Sequence, residues 1–164
     1  MSFRLRPLIK ADLPLKYTLQ SKVCSYNELH STFGYSRTEI EIEYEQVHDF
    51  SEYLFESSQG EPIGLVRVGP PDLISGVVSV QPVILVNNAD STSIFSEGLA
   101  QLVASLGIRH NISRMFSFLL IDETEEAEIL RNNGFDLEAV LKQHLYFSGA
   151  YHDLLVFGTL RRDA

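Results

Sequence analysis

Asn87 to Ser93 (NNADSTS) is the stretch of this sequence most suited to holding an anion. Its side chains are of the kind that cap helices. Before it lies Val77 to Val86, an apolar run rich in β-branched residues, the composition of a buried strand. Pro82 within that run imposes a bend or a bulge. After it, Phe95, Leu99, Leu102, Val103 and Leu106 recur at the spacing of one helical face. A strand that passes through a polar turn into a helix leaves backbone N–H groups free at the junction. The helix dipole is positive there, so the junction suits a phosphate or another anion.

The other chemistry-bearing residues form no comparable unit. His152 and Asp153 are neighbours, as are His48 and Asp49. Neighbours in a strand point to opposite faces, so His152 and Asp153 do not act together. The 5 histidines are dispersed without ligand spacing, and no metal site is expected. Cys24 is the single cysteine, which leaves no disulfide framework and no cysteine zinc site. It falls in an amphipathic stretch and reads as a small core or boundary residue. No Gly-x-Ser-x-Gly elbow marks a serine hydrolase. Glu39, Glu41, Glu43 and Glu45 make an acidic stripe that suits a cationic partner, although such stripes are usually solvated faces.

The formal charge of −9, from 13 basic against 22 acidic residues, argues against non-specific binding to nucleic acids and to anionic membranes, which requires basic patches. At 164 residues with 45% apolar content, the chain is sized for a single domain, 1–164, with one core. The opening MSFRLRPLIKADL lacks the apolar core of a secretion signal, and no run is long enough to span a bilayer. The expectation is a cytoplasmic protein.

The elements that must position the junction follow from pattern. Phe3 to Leu8 alternates as a short strand, at an edge because Pro7 cannot donate a ladder bond. Asp12 two residues before Pro14 reads as an N-cap, and Leu15, Leu19, Val23 and Tyr26 continue one helical face. In Thr38 to Val47 the period of two says strand and the glutamates say helix, so the segment stays open. Ser51 to Ser58 and Ile63 to Val68 form a hairpin around Gln59 to Pro62. The long helix ends before Gly107, and Met115 to Ile121 is a fully apolar central strand. Asp122, with Glu125 three residues on, opens a short helix whose first turn is loaded with glutamates. That helix ends at Asn132, Asn133 and Gly134. Leu137 to Phe147 and Tyr151 to Leu160 are closing strands. Strand–helix–strand in the middle implies a parallel pair through a right-handed crossover, and the flanking hairpins imply antiparallel pairs. The fold class is α/β: a mixed sheet of about seven strands flanked by helices.

Three stretches carry a family resemblance. Leu5, Arg6 and Pro7 followed by Ala11, Asp12 and Leu13, then ILRNNGF at Ile129 to Phe135, then GAYHDLLVFGTL at Gly149 to Leu160, resemble the opening, late helix and closing strands of the GCN5-related N-acetyltransferase (GNAT) family. The resemblance covers nearly the whole chain. It implies a centrally splayed sheet in which acetyl-CoA, or another acyl-CoA, is the co-substrate. The pantetheine arm would lie against exposed backbone at Leu85, Val86 and Asn87. The pyrophosphate would lie on the turn at Ser91, Thr92, Ser93, Ile94 and Phe95. Asp122 stands where the family often has a pantetheine-binding Asn. The acceptor would be a small-molecule or protein amine, and a homodimer is one assembly the family suggests.

The sequence departs from the family at several of these positions. The phosphate turn reads STSIFS at Ser91 to Ser96, without the family's glycines or its Arg or Gln. Leu130 occupies the place of the usual acidic Tyr, and the strand Val77 to Val86 offers only Ser79 and Gln81 where the family often has a Glu base. Tyr151 and Tyr146 are the substitute acids by residue type, although a strand tyrosine is first a packing residue. Two functions stay open: an N-acyltransferase, and a module of the same fold that binds or regulates without transfer chemistry.

Overall fold

The computed structural model describes residues 3–22, 51–86, 88–147 and 149–160. The segment 38–47, Cys24, Val23, Tyr26 and the pair His48–Asp49 lie outside them.

Among the described residues, seven strands form one sheet: β1 (Phe3–Pro7), β2 (Ser51–Ser57), β3 (Pro62–Val68), β4 (Val77–Ile84), β5 (Arg114–Leu120), β6 (Asp136–Phe147) and β7 (Ala150–Leu160). Their spatial order is β1-β2-β3-β4-β5-β7-β6. All neighbours are antiparallel except β4 and β5, which are parallel and joined by a helical crossover. This is the mixed seven-stranded arrangement that the pattern implies, with β1 at an edge. The hairpin between β2 and β3 turns on Gly60 at φ 81°, where Gly60 N–H donates to the Ser57 carbonyl at 2.9 Å. Among the described residues no helix is long and apolar enough to cross a membrane.

Three α-helices are described: α1 (Leu13–Lys22), α2 (Ala89–His110) and α3 (Thr124–Asn132). Phe95, Leu99, Leu102 and Leu106 of α2, with Ala127, Ile129 and Leu130 of α3, bury against Phe55, Val66, Val78, Val80, Leu119 and Phe157 of the sheet. On the opposite face Leu15 of α1 packs against Leu54, Leu65 and Val83. The strand alternation that separates Phe55 from Leu54, and Val66 from Leu65, thus divides the core between two faces.

One close approach fixes how α2 sits. The Phe55 and Phe95 rings lie 4.6 Å apart between sheet and helix. A Cβ on Gly64 of β3 would fall 2.4 Å from the Phe95 ring, so only glycine admits that ring over the strand.

Three boundaries differ from the sequence expectation. Asp12 does not cap α1. It ends a short 3-10 turn (Lys10–Asp12), and its carboxylate accepts from Ile9 N–H at 2.9 Å and from both terminal nitrogens of Arg6. The helix α2 does not stop at Gly107. That glycine is buried against the sheet side of the helix, which runs on to His110 and ends at Asn111 in the left-handed conformation (φ 54°). Asp122 does not cap α3 with its side chain. Glu123 holds the N-cap position, and its carboxylate accepts from Leu120 N–H.

Candidate active site

β4 and β5 pair only at Val77–Arg114, Val78–Met115 and Ser79–Phe116. Beyond Ser79 the two strands continue to Ile84 and Leu120 without pairing. Pro82 supplies a reason. Strand alternation puts its amide position on the same edge as that of Ile84, facing the gap, and proline has no N–H to give β5 there.

A side chain closes the base of this fork. The Gln81 Oε1 accepts from Ser117 Oγ at 2.9 Å and from Phe118 N–H at 3.2 Å. Both Gln81 and Ser117 are buried, so the carboxamide takes over ladder duty where the backbones part.

Farther along the β4 edge, Ile84 N–H donates to Glu126 Oε1 of α3 at 3.3 Å. Glu126 is 9% exposed. Burial pushes its carboxyl above the ordinary glutamate range, and nearby Glu125 adds to that. Hydrogen bonds from Ile84 and from its own backbone amide pull the other way and are outweighed. Leu130, one turn later on α3, is fully buried in the core. The sequence gives Glu126 only as one of four glutamates suited to a helix start. The available signal is its position four residues before Leu130, on the same helical face.

The junction at the start of α2 is built differently from the sequence expectation. Asn88 is the N-cap, and its Oδ1 accepts from Ser91 N–H at 2.9 Å. Thr92 N–H already donates to the Asn88 carbonyl at 2.9 Å. Ser91 to Phe95 are therefore turns of the helix and not a loop before it, and the amides of Ser93, Ile94 and Phe95 fall in intrahelical positions. The amides without an intrahelical acceptor are the earlier ones, at Ala89 and Asp90. Ser93 is exposed, and Ser91 and Thr92 are half-buried. Ile94 packs on the main core, and Phe95 is buried within it. Asp90 is exposed in the first turn.

Leu85 and Val86 N–H both donate to the Ile63 carbonyl, at 2.9 and 3.2 Å, which makes a bulge against β3 where β4 ends. Those two amides thus face β3, not the fork. Asn87 lies outside the described residues. Asp122 is exposed just past β5. Tyr146 and Tyr151 face each other across the tip of the β6–β7 hairpin, with ring centroids 5.0 Å apart and about two-thirds of each residue exposed. That tip lies at the end of the sheet toward which the fork opens, because β7 runs antiparallel to β5 and Leu154 pairs with Leu120. Asp153 accepts from Lys142 Nζ at 2.6 Å and from Gln143 N–H at 2.9 Å, so it holds the bulge where Gln143 takes a positive φ.

The α1 face of the sheet carries a chain of ion pairs leading toward the fork. Glu52 binds Lys16 through one oxygen and Arg67 through the other, each at 3.0 Å, and Arg67 is in register with Gln81. Both oxygens of Glu52 are thus engaged by cations.

No protein-family model matches the chain, and no curated protein sequence matches it. Solved structures do. The spermidine N-acetyltransferase from Vibrio cholerae, in complex with CoA and spermine, is 18% identical over 97% of this chain and 95% of that one, with a TM-score of 0.80. The same enzyme in a dodecameric structure is 15% identical over 97% and 94%, with a TM-score of 0.73. RimL, a ribosomal L7/L12 α-N-protein acetyltransferase in complex with coenzyme A, is 20% identical over 98% and 94%, with a TM-score of 0.75. At these identities the likeness shows the fold, which is that of the GNAT acyltransferases.

Proposed function

On a chain with the GNAT fold, we propose an acyl-CoA-dependent N-acyltransferase, with acetyl as the acyl group and a small amine or a protein amino group as acceptor. The observation that carries this reading is the fork between β4 and β5. Beyond Ser79 it leaves the β4 edge without a strand partner, beside the buried Gln81, Ser117 and Glu126, at the end of the sheet that leads into α2. A strand edge freed from its neighbour is backbone that a substrate can pair with, and backbone donors on such an edge are the kind that stabilise the oxyanion of acyl transfer. Much of the acceleration would come from holding amine and thioester together.

The acyl-CoA is a substrate, and the residues present fit its two ends unequally. The fork suits the thioester. The start of α2 offers the Ala89 and Asp90 amides and the Ser91, Thr92 and Ser93 hydroxyls to the phosphates, with Leu85 and Val86 bordering the pantetheine and Asp122 across the gap. Tyr146 and Tyr151 stand at the hairpin tip as candidates for contact with the acceptor or the leaving group. The V. cholerae enzyme acts on spermidine, and a net charge of −9 has the sign that draws a polyamine. Self-assembly, as in the dodecameric neighbour, and a cytoplasmic setting complete the proposal.

The test is a thermal shift with acetyl-CoA followed by thiol release across spermidine, spermine and a peptide with a free N-terminus. Ligand at a hundred times its dissociation constant should stabilise the fold by about 2.7 kcal/mol. No shift at millimolar ligand refutes the proposal in its acetyl form. A second reading draws on Leu130 and on the glycine-free start of α2. It is a module that binds without transferring, and a shift with no thiol release on any amine favours it.

A further inference from the structure

We propose that the Glu126 carboxyl is the proton donor to the leaving thiolate, acting from the helical turn before the leucine that replaces the usual hydroxyl. The inference rests on the transferase reading and assigns one role within it.

The geometry has three parts. Glu126 stands on α3 four residues before Leu130, so its side chain shares that helical face. Its Oε1 is tied to Ile84 N–H, which places the carboxyl on the β4 edge inside the fork. The backbone amide of Glu126 also donates to this carboxyl, which when protonated still has one O–H to give. Leu130 has no proton to give, and Tyr146 and Tyr151 are largely solvent-exposed at the hairpin tip.

The reaction balances without another reagent. The amine lone pair forms the C–N bond at the thioester carbonyl carbon. The C–S bond breaks with its electron pair on sulfur, and the Glu126 proton goes to that sulfur. The proton shed by the new amide nitrogen returns through water to the Glu126 carboxylate.

Among the described residues, few charged groups bear on Glu126. Glu125 of its own helix raises its pKa. β4 has no titratable side chain from Val77 to Ile84. β5 has Arg114 alone, at its opposite end and paired with Glu138. The long helix α2 brings Asp90 in its exposed first turn, Glu97 facing a cavity beside β1, and Arg109 and His110 in its last turn. The mainly apolar setting keeps the proton on the carboxyl to higher pH than an ordinary glutamate would.

The experiment compares the full chain with Glu126→Gln, which keeps an oxygen for Ile84 N–H but has no transferable proton. With acetyl-CoA and the most active amine of the panel, kcat should fall by about a hundredfold or more while KM for acetyl-CoA stays within about threefold. In the unsubstituted protein kcat should decline as pH rises through the Glu126 pKa, and that limb should vanish in the variant. A readout free of turnover is the 13C carboxyl signal assigned by its absence in the variant. It should titrate above the ordinary glutamate range and move when coenzyme A is added. An active protein whose Glu126→Gln variant keeps kcat and the same pH limb overturns the proposal, as does a loss of kcat confined to Tyr151→Phe. A carboxyl signal that titrates as an ordinary glutamate and ignores coenzyme A overturns it even if the variant does not fold. Absence of acetyl-CoA binding in the unsubstituted protein is a different failure. It removes the transferase reading itself, and the assignment of Glu126 falls with it.

Discussion

The two ends of the slot between β4 and β5 are built on opposite principles. At the fork, Gln81, Ser117, Ile84 and Glu126 converge from three elements, with Gln81 accepting from Ser117 and Phe118 of β5 and Glu126 accepting from Ile84. At the start of α2 the polar groups are local. Asn88 caps its own helix, Asp90 and Ser93 face solvent, and the chain supplies no glycine to bring backbone close to a phosphate. The fork is therefore a tertiary structure that a single substitution should damage. The helix start is a surface whose electrostatics can be retuned at little cost to the fold.

The largest test of that contrast is Gln81→Leu. It leaves the Phe118 N–H and the Ser117 hydroxyl without their acceptor in the interior. The loss should be about 1–3 kcal/mol in chemical denaturation, with thiol release falling alongside. Adding Ser117→Ala should recover part of that loss, because one of the stranded donors is then gone. Full stability in Gln81→Leu alone would show that water enters the fork and that its burial is not essential.

Glu126 gives the same end a pH signature. Its folded pKa is raised, so its protonated form favours the fold. That contribution is present below the ordinary glutamate pKa and is lost as pH rises through the raised value. Stability of the unsubstituted protein should decline over that window, and Glu126→Gln should flatten the decline. Asp12 offers the opposite sign on the α1 face. The Arg6 guanidinium holds its carboxyl below the usual range, so its contribution is present at neutral pH and lost as pH falls through that depressed value. Denaturation midpoints measured across pH separate the two.

At the helix start the effects should be smaller. Asn88→Ala removes the acceptor of Ser91 N–H and should cost about 1 kcal/mol of stability by thermal or chemical unfolding. An unchanged midpoint would mean that the bulge after β4, and not the cap, determines where α2 begins.

The same contrast decides what could be read from the sequence. The hairpin of β2 and β3, the parallel pair of β4 and β5 and the inward face of α2 follow from alternation, turn residues and helical spacing. Each depends on residues close in sequence. Pro82 marks the strand that leaves its neighbour, for the same local reason. The start of α2 is not legible in the sequence because Asn88, Asp90, Ser91, Thr92 and Ser93 are all good caps, and the structure uses Asn88. Gly107 resembles a stop but lies buried inside the helix. Glu126 could not be told from Glu123, Glu125 and Glu128. Which glutamate turns inward depends on how α3 packs beside β4, and no local pattern encodes that.

Asp90 provides the finest discrimination. It sits in the first turn of α2, where its charge favours the helix dipole and so stabilises the free protein slightly. The same charge repels a pyrophosphate on the neighbouring amides. Asp90→Asn should therefore move two measurements in opposite directions. Stability without ligand should fall by about 0.3–1 kcal/mol, and affinity for acetyl-CoA should rise by about two- to fivefold, the same energy read as binding. The gain should shrink as salt is raised, because the site is exposed. If affinity stays level while stability falls, the phosphates do not approach the α2 start, and the slot must be occupied from the fork alone. A gain confined to low salt would instead place the phosphates near α2 but in solvent, held by field and not by contact.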